Sequence, residues 1–157
     1  MANPLHLALL REGTKTWNSW IRSHTEVVAD FSEAQLEHLN FDHAHLIGAN
    51  FIGANLNQAT FQGADLSTAD FQNASLSATN FTGALLHKAT LSRANLRAAD
   101  LREANLSGAD LTGADLREAF LRGTFFQGGH FFKAIFRWCD LQEIDLGDVN
   151  LRTAIFV

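Results

Sequence analysis

Cysteine occurs once in the 157 residues, proline once, and no lysine or arginine stands between residues 23 and 87. The lone Cys139 excludes an internal disulfide and fits a reducing compartment. A single Pro beside 46% hydrophobic and 18% charged residues excludes a disordered or low-complexity chain. The segment Leu5 to Leu10 is too short to span a bilayer, and no Lys or Arg precedes it as a signal peptide requires. The expectation is therefore a cytoplasmic protein with no membrane contact. Charge is unevenly spread: residues 1–22 sum to +2, residues 23–87 to −7 and residues 88–157 to 0. Phosphates require Lys and Arg, so the acidic middle argues against direct nucleic-acid binding.

In place of the missing features stands a register. From Phe31 to Phe156 every fifth residue is Leu or Phe, 26 in all, without a phase error. The slot two residues earlier is Ala in 19 of its 26 occurrences, and the slot between favours Asn or Asp. The unit reads A-(D/N)-(L/F)-x-x, as in Gly63-Ala64-Asp65-Leu66-Ser67 and Gly113-Ala114-Asp115-Leu116-Arg117. A period of five matches neither the strand period nor the helix period, so the repeat decides the fold before any local propensity does. Asp65, Asp70, Asp100, Asp110, Asp115, Asp140 and Asp145 all sit in the Asn/Asp slot, where such side chains bond to nearby backbone. Much of the acidity is thereby assigned to turns.

A chain that turns every five residues closes a square in four units, which gives a coil of 20. Phe41, Phe61 and Phe81 recur at that spacing, as do Phe51 and Phe71, with Leu between them. Two opposite faces then stack Phe on Phe and the other two Leu on Leu, the packing of a solenoid. Ala beside each large residue fits an interior with no room for a second bulky side chain. Stacking at the strand spacing makes a column about 31 Å long. These residues resemble the pentapeptide-repeat family over residues 29–157. The resemblance implies an all-β solenoid, a right-handed quadrilateral parallel β-helix of about 6.5 coils of four pentapeptides, with a short helical N-terminal cap over residues 1–28.

Both ends of a solenoid need cover. Asn3-Pro4 reads as an N-cap and first helical position, Gly13 as a stop, and Thr14 as a second N-cap for a helix whose Trp17, Trp20 and Ile21 plug the column. Gly13, Trp17-Asn18-x-Trp20 and Arg22 resemble the N-terminal segments of cyanobacterial members of the family. At the other end the outer slots turn apolar: Phe120, Phe125, Phe132, Ile135, Trp138, Ile155 and Val157. On the 20-residue coil Ile135 and Trp138 lie beside Ile155 and Val157, and a contiguous apolar patch marks an interface. The expectation is a homodimer through the C-terminal coil. The alternative is a monomer whose larger inward residues, Cys139, Ile144 and Val149, close the column.

No insertion interrupts the register, so no loop is available to build a pocket, and no catalytic residue, cofactor or metal site is expected. The seven histidines, including His38, His43 and His45, match no metal spacing and read as solvated surface groups. Cys139, in the inward Ala slot, reads as a buried inert thiol. Arg97, Arg117 and Arg137 recur at 20 residues, with Arg102 and Arg122 on the next corner; Asp115, Glu118, Asp100 and Glu103 are their expected partners. The resulting function is a non-catalytic rigid binding or scaffold module whose protein partner the sequence does not name. The alternative, implied by fluoroquinolone-resistance members of the family, is a DNA mimic that binds a type II topoisomerase through acidic rows.

Overall fold

In the computed structural model, which describes residues 1–156, the unit accounts for all five of its backbone N–H groups; Val157 lies outside the described residues. The unit from Asp30 to Ala34 illustrates this. Phe31 and Glu33 donate to the next coil at Asn50 and Ile52, both at 2.8 Å, and Ala34 closes a turn on Phe31 O at 3.2 Å. One coil up, Asn50 donates back to Ala29 O at 2.8 Å. That leaves only the N–H of Ser32, and Asp30 Oδ1 accepts it at 3.0 Å. The same side-chain bond recurs at Asp65, Asp70, Asp100, Asp110, Asp115, Asp140 and Asp145. The Asn/Asp slot thus fills the one donor that the coil's own backbone cannot pair.

Parallel bridges link each of these residues to the one 20 positions on, in four vertical ladders. Face 1 carries Asp30, Asn50, Asp70, Thr90, Asp110 and His130. Face 2 carries Gln35, Asn55, Ser75, Asn95, Asp115, Ile135 and Ile155. Face 3 runs from Asn40 through Asp100 and Phe120 to Asp140, and face 4 from His45 through Leu85 and Phe125 to Asp145. The hand of the coil is right, as parallel crossovers require. Each corner is a turn with one left-handed residue. Nine of these corner positions among the described residues are glycine, but Thr68, Lys88, Arg93 and Trp138 hold φ of 55 to 61° without one. That conformation costs roughly 1–2 kcal/mol per residue, and the two inter-coil bonds at each turn offset it.

Inside, Phe41, Phe61 and Phe81 stack at 4.5 and 5.1 Å, and Phe31, Phe51 and Phe71 at 5.1 and 4.8 Å. The two stacks meet edge to face near 6 Å, as at Phe51–Phe61 with 5.9 Å. Phe on two opposite faces is therefore found as far as Phe81. From Leu86 to Leu121 the interior is Leu and Ala only, and Phe returns at 126. Two departures from Ala are buried and paired: the Thr79 and Thr124 hydroxyls donate to Leu56 O and Leu101 O, each at 2.9 Å.

Helices α1 (Pro4–Arg11) and α2 (Thr14–Arg22) cover the first coil. Asn3 caps α1 through Oδ1, which accepts from Leu5 and His6. The N-cap of α2 is Gly13, at φ 109°, and not Thr14, which is the first helical residue. The left-handed glycine sets the sharp angle between the helices and leaves no side chain to cap with. In the last coil the turn slips: Gly147, one position early, takes the left-handed conformation, and Lys133 bonds Thr153 O at 3.0 Å. By the spacing of the coils below, Arg152 would be that acceptor.

Candidate docking surfaces

The cap uses side chains where a coil would use backbone. Asn18 spans the bottom edge of face 4: Oδ1 accepts from His45 N at 2.8 Å and Nδ2 donates to His43 O at 2.9 Å. Trp17 is fully buried on Phe31, with ring centroids 5.5 Å apart, and its Nε1–H donates to His45 O at 2.8 Å. On face 1, Asn3 N donates to Asp30 O and His6 Nδ1 accepts from Asp30 N, both at 3.0 Å. His6 corrects the reading of seven solvated histidines, since it is only 4% exposed, with Trp17, Trp20 and Phe31 around it. Trp20 and Ile21 are partly buried, and His24 stacks on Trp20 at 4.2 Å.

Burial pushes the pKa of His6 below its ordinary 6.5, although Asp30 pulls the other way. The ring accepts a hydrogen bond through the nitrogen that protonation would occupy. Below pH 6.5 the unfolded chain therefore binds a proton that the folded chain resists, and stability rises with pH across that window. The contribution is complete above 6.5 and is lost as pH falls through the folded value. Denaturant midpoints measured between neutral pH and the onset of carboxylate titration are expected to decline toward acid, and His6→Gln is expected to flatten that slope. An equal slope in the variant would assign the effect elsewhere.

At the other end the structure separates the outward apolar residues. Phe120 lies on face 3 and Phe125 on face 4, both about half exposed, and neither shares a ladder with Ile135. Ile135 pairs with Ile155 on face 2, flanked by Phe132 at one corner and Trp138, 66% exposed, at the other. A further surface escaped sequence reasoning. Exposed Ile47 walls a groove of about 310 Å³ together with Ile21, Arg22, Thr25, Val27 and His45 between α2 and the first coil. The signal was present, since Ile47 and Ile52 break the polar outer slots of the early coils.

The arginines divide into two kinds. Arg102 pairs with Asp100 and Arg117 with Asp115 two residues back, while Arg97 reaches Glu118 at 3.0 Å and Arg122 reaches Glu143 at 2.8 Å on the coil above. Glu143 takes the role expected of Glu103, which forms no ion pair among the described residues. The Arg117 guanidinium holds Asp115 below the usual carboxylate range; at Asp100 burial acts against the ion, and the bonds from Arg102 outweigh it. Arg137 has no such partner among the described residues and lies over the Trp138 ring at 4.1 Å. Cys139 is partly buried, not fully as its slot suggests. Its Sγ–H donates to Leu116 O at 2.8 Å, and burial pushes the thiol pKa up. Among the described residues no group of three His, Cys, Asp or Glu is arranged to hold a metal ion, and no helix is long and apolar enough to cross a membrane.

A four-sided parallel β-solenoid with its chemistry on the outside is a repeat scaffold. A model described as pentapeptide repeats matches in eight copies, over residues 29–67, 64–102 and 89–128. The chain belongs to the pentapeptide-repeat family. Among solved structures it is similar to Rfr23, a pentapeptide repeat protein from the cyanobacterium Cyanothece 51142, at 26% identity over 91% of this chain and 99% of that one, with a TM-score of 0.53. It is 32% identical to a pentapeptide repeat protein of the Arabidopsis thaliana thylakoid lumen, over 72% of each chain and with a TM-score of 0.44. It is 26% identical to a trypsin-treated variant of QnrB1, a plasmid-mediated fluoroquinolone resistance protein, over 80% of this chain and 81% of that one, with a TM-score of 0.46. No match was found among curated proteins.

Proposed function

We propose that the protein is a non-catalytic, rigid docking rod of the cytoplasm whose C-terminal coil pairs end to end with a second copy. One observation carries this reading. Leu121, Phe126, Phe131 and Phe136 are at most 5% exposed, yet in the same inward slots one coil higher Leu141 is 37% and Phe156 47% exposed. Leu146 and Leu151 beside them are only partly buried. A row of core side chains open at its upper edge is a surface that a second such row would cover, and the symmetric pairing of one end with itself closes without forming a filament.

Leu151→Glu places a charge in that row, at a partly buried position of the last coil, and far-ultraviolet circular dichroism checks that the column below stays folded. Light scattering at tens of micromolar is expected to give the mass of a dimer for the parent protein and of a monomer for the variant. A monomer mass for the parent protein at that concentration overturns the end-to-end reading. The topoisomerase alternative draws on the acidic stretch of residues 23–87. Asp30, Asp65 and Asp70 there are held as turn acceptors, and residues 88–157 sum to zero, so acidic rows run along only part of the rod.

A further inference from the structure

The upper two coils of face 2 combine features found together nowhere else among the described residues. Ile135 and Ile155 form an apolar strip, bounded by Phe132, Lys133 and Arg152 at one corner and by Arg137 and Trp138 at the other. Lys133 lies 5.2 Å from the Phe132 ring centroid and Arg137 4.1 Å from that of Trp138. Among the described residues, Lys133, Arg137 and Arg152 have no carboxylate within 4.0 Å, while Arg97 and Arg117, lower on the same corner as Arg137, are both paired. The acids of this face are consumed in the same pairs: Asp115 by Arg117 and Glu118 by Arg97. What remains is an apolar centre between unneutralised cations.

We propose that this end of face 2 binds an acidic protein segment, an extended peptide that sets apolar side chains on Ile135 and Ile155 and carboxylates on Lys133, Arg152 and Arg137. The proposal rests on the docking-rod reading and names the partner of a side surface distinct from the end-to-end contact. A guanidinium stacked on an indole is already oriented, and its outer edge can take a carboxylate in bidentate fashion. Single-stranded nucleic acid is the other polyanion to weigh. It needs free aromatic faces on which successive bases stack, and here one face of each ring already carries a cation. It would also run down the rod onto Glu33 and Glu37, which hold the corners of face 2 in the first coil.

Trp138 reports on the site directly, because Trp17 is fully buried and Trp20 lies in the cap at the opposite end. The probe is a capped hexapeptide of two leucines flanked by glutamates, titrated while indole fluorescence is followed at low salt. A saturable change is expected that disappears in Trp138→Phe, weakens as salt is raised, and requires at least about tenfold more peptide in the double variant Lys133→Glu, Arg137→Glu. Arg93→Glu lies two coils lower on the same corner as Lys133, outside the strip, and is expected to bind like the parent. Both substituted sites face solvent, so folding is preserved, and far-ultraviolet circular dichroism checks it. The proposal is overturned if the peptide does not bind, if Arg93→Glu weakens binding as much as the double variant, or if oligo(dT) or the lysine counterpart of the peptide binds equally. It is also overturned if the fluorescence change tracks a salt-sensitive rise in the protein's own mass, which would make a second copy the occupant. Running the titration on Leu151→Glu separates it from the end-to-end contact, since that variant is expected to lose the dimer and keep the peptide.

Discussion

Phe61→Ala is expected to lower the unfolding free energy by about 3–5 kcal/mol, while Phe61→Leu costs less than about 1.5 kcal/mol. Phe61 is fully buried. It stacks on Phe41 below at 4.5 Å and Phe81 above at 5.1 Å, and meets Phe51 and Phe71 edge to face at 5.9 and 6.1 Å. Truncation opens a void that the neighbours cannot fill, because each ring is held by its own coil, and every coil is bonded above and below. Leu is tolerated because the same slot holds it through the middle of the column, from Leu86 to Leu121. Denaturant midpoints at unchanged m-value measure the difference. A loss under about 1 kcal/mol for Phe61→Ala would mean that the Phe stacks add nothing beyond what a loosely filled interior supplies.

The contrast between those two substitutions shows why so much of the interior was legible. A slot that repeats with each unit lets errors at one site be outvoted by the others, and the period itself specifies the number of faces. The Asn/Asp slot was read as a turn device from composition alone, and the structure supplies the reason: it serves the single N–H that the ladders leave over. The ends were less legible because nothing there repeats. Trp17 and Trp20 could be placed in a cap by their spacing, whereas the bonding of Asn18 and His6 to the first coil joins residues 24 to 27 apart and has no periodic signature. His6 reads in sequence as one more solvated histidine, and only its fit against Trp17, Trp20 and Phe31 makes it part of the core. On the outside the register gave columns but no pairing. It aligned Arg97, Arg117 and Arg137, yet it did not distinguish the two that find carboxylates from the one that finds an indole. Phe120 and Phe125 were grouped with Ile135 by proximity in sequence, and the four-fold corner geometry sends them to other faces.

Trp17→Ala is expected to cost about 3–5 kcal/mol at the N-terminal edge, and its effect is expected to be local. The indole fills the open bottom of the column, resting on Phe31 and flanked by His6 and Trp20, and its Nε1–H supplies His45 O with the donor that a lower coil would have provided. Without it α2 loses its only fully buried side chain, Asn18 loses the anchor that holds it against His43 and His45, and the first coil becomes a free edge. Trp17→Phe keeps most of the apolar body and drops the donor, so it is expected to cost the smaller share, about 1–3 kcal/mol for a carbonyl left unpaired. In a stacked solenoid each coil leans on its neighbours only, so the loss is expected to fade along the column. Amide exchange in Trp17→Ala should accelerate at Phe31, Leu36, Phe41 and Leu46 and remain at parent rates from Leu86 to Leu116. Uniform acceleration along the chain would show that the cap and the column unfold as one unit. Unchanged exchange in the first coil would show that α1, through Asn3 and His6 on Asp30, is enough to close the edge.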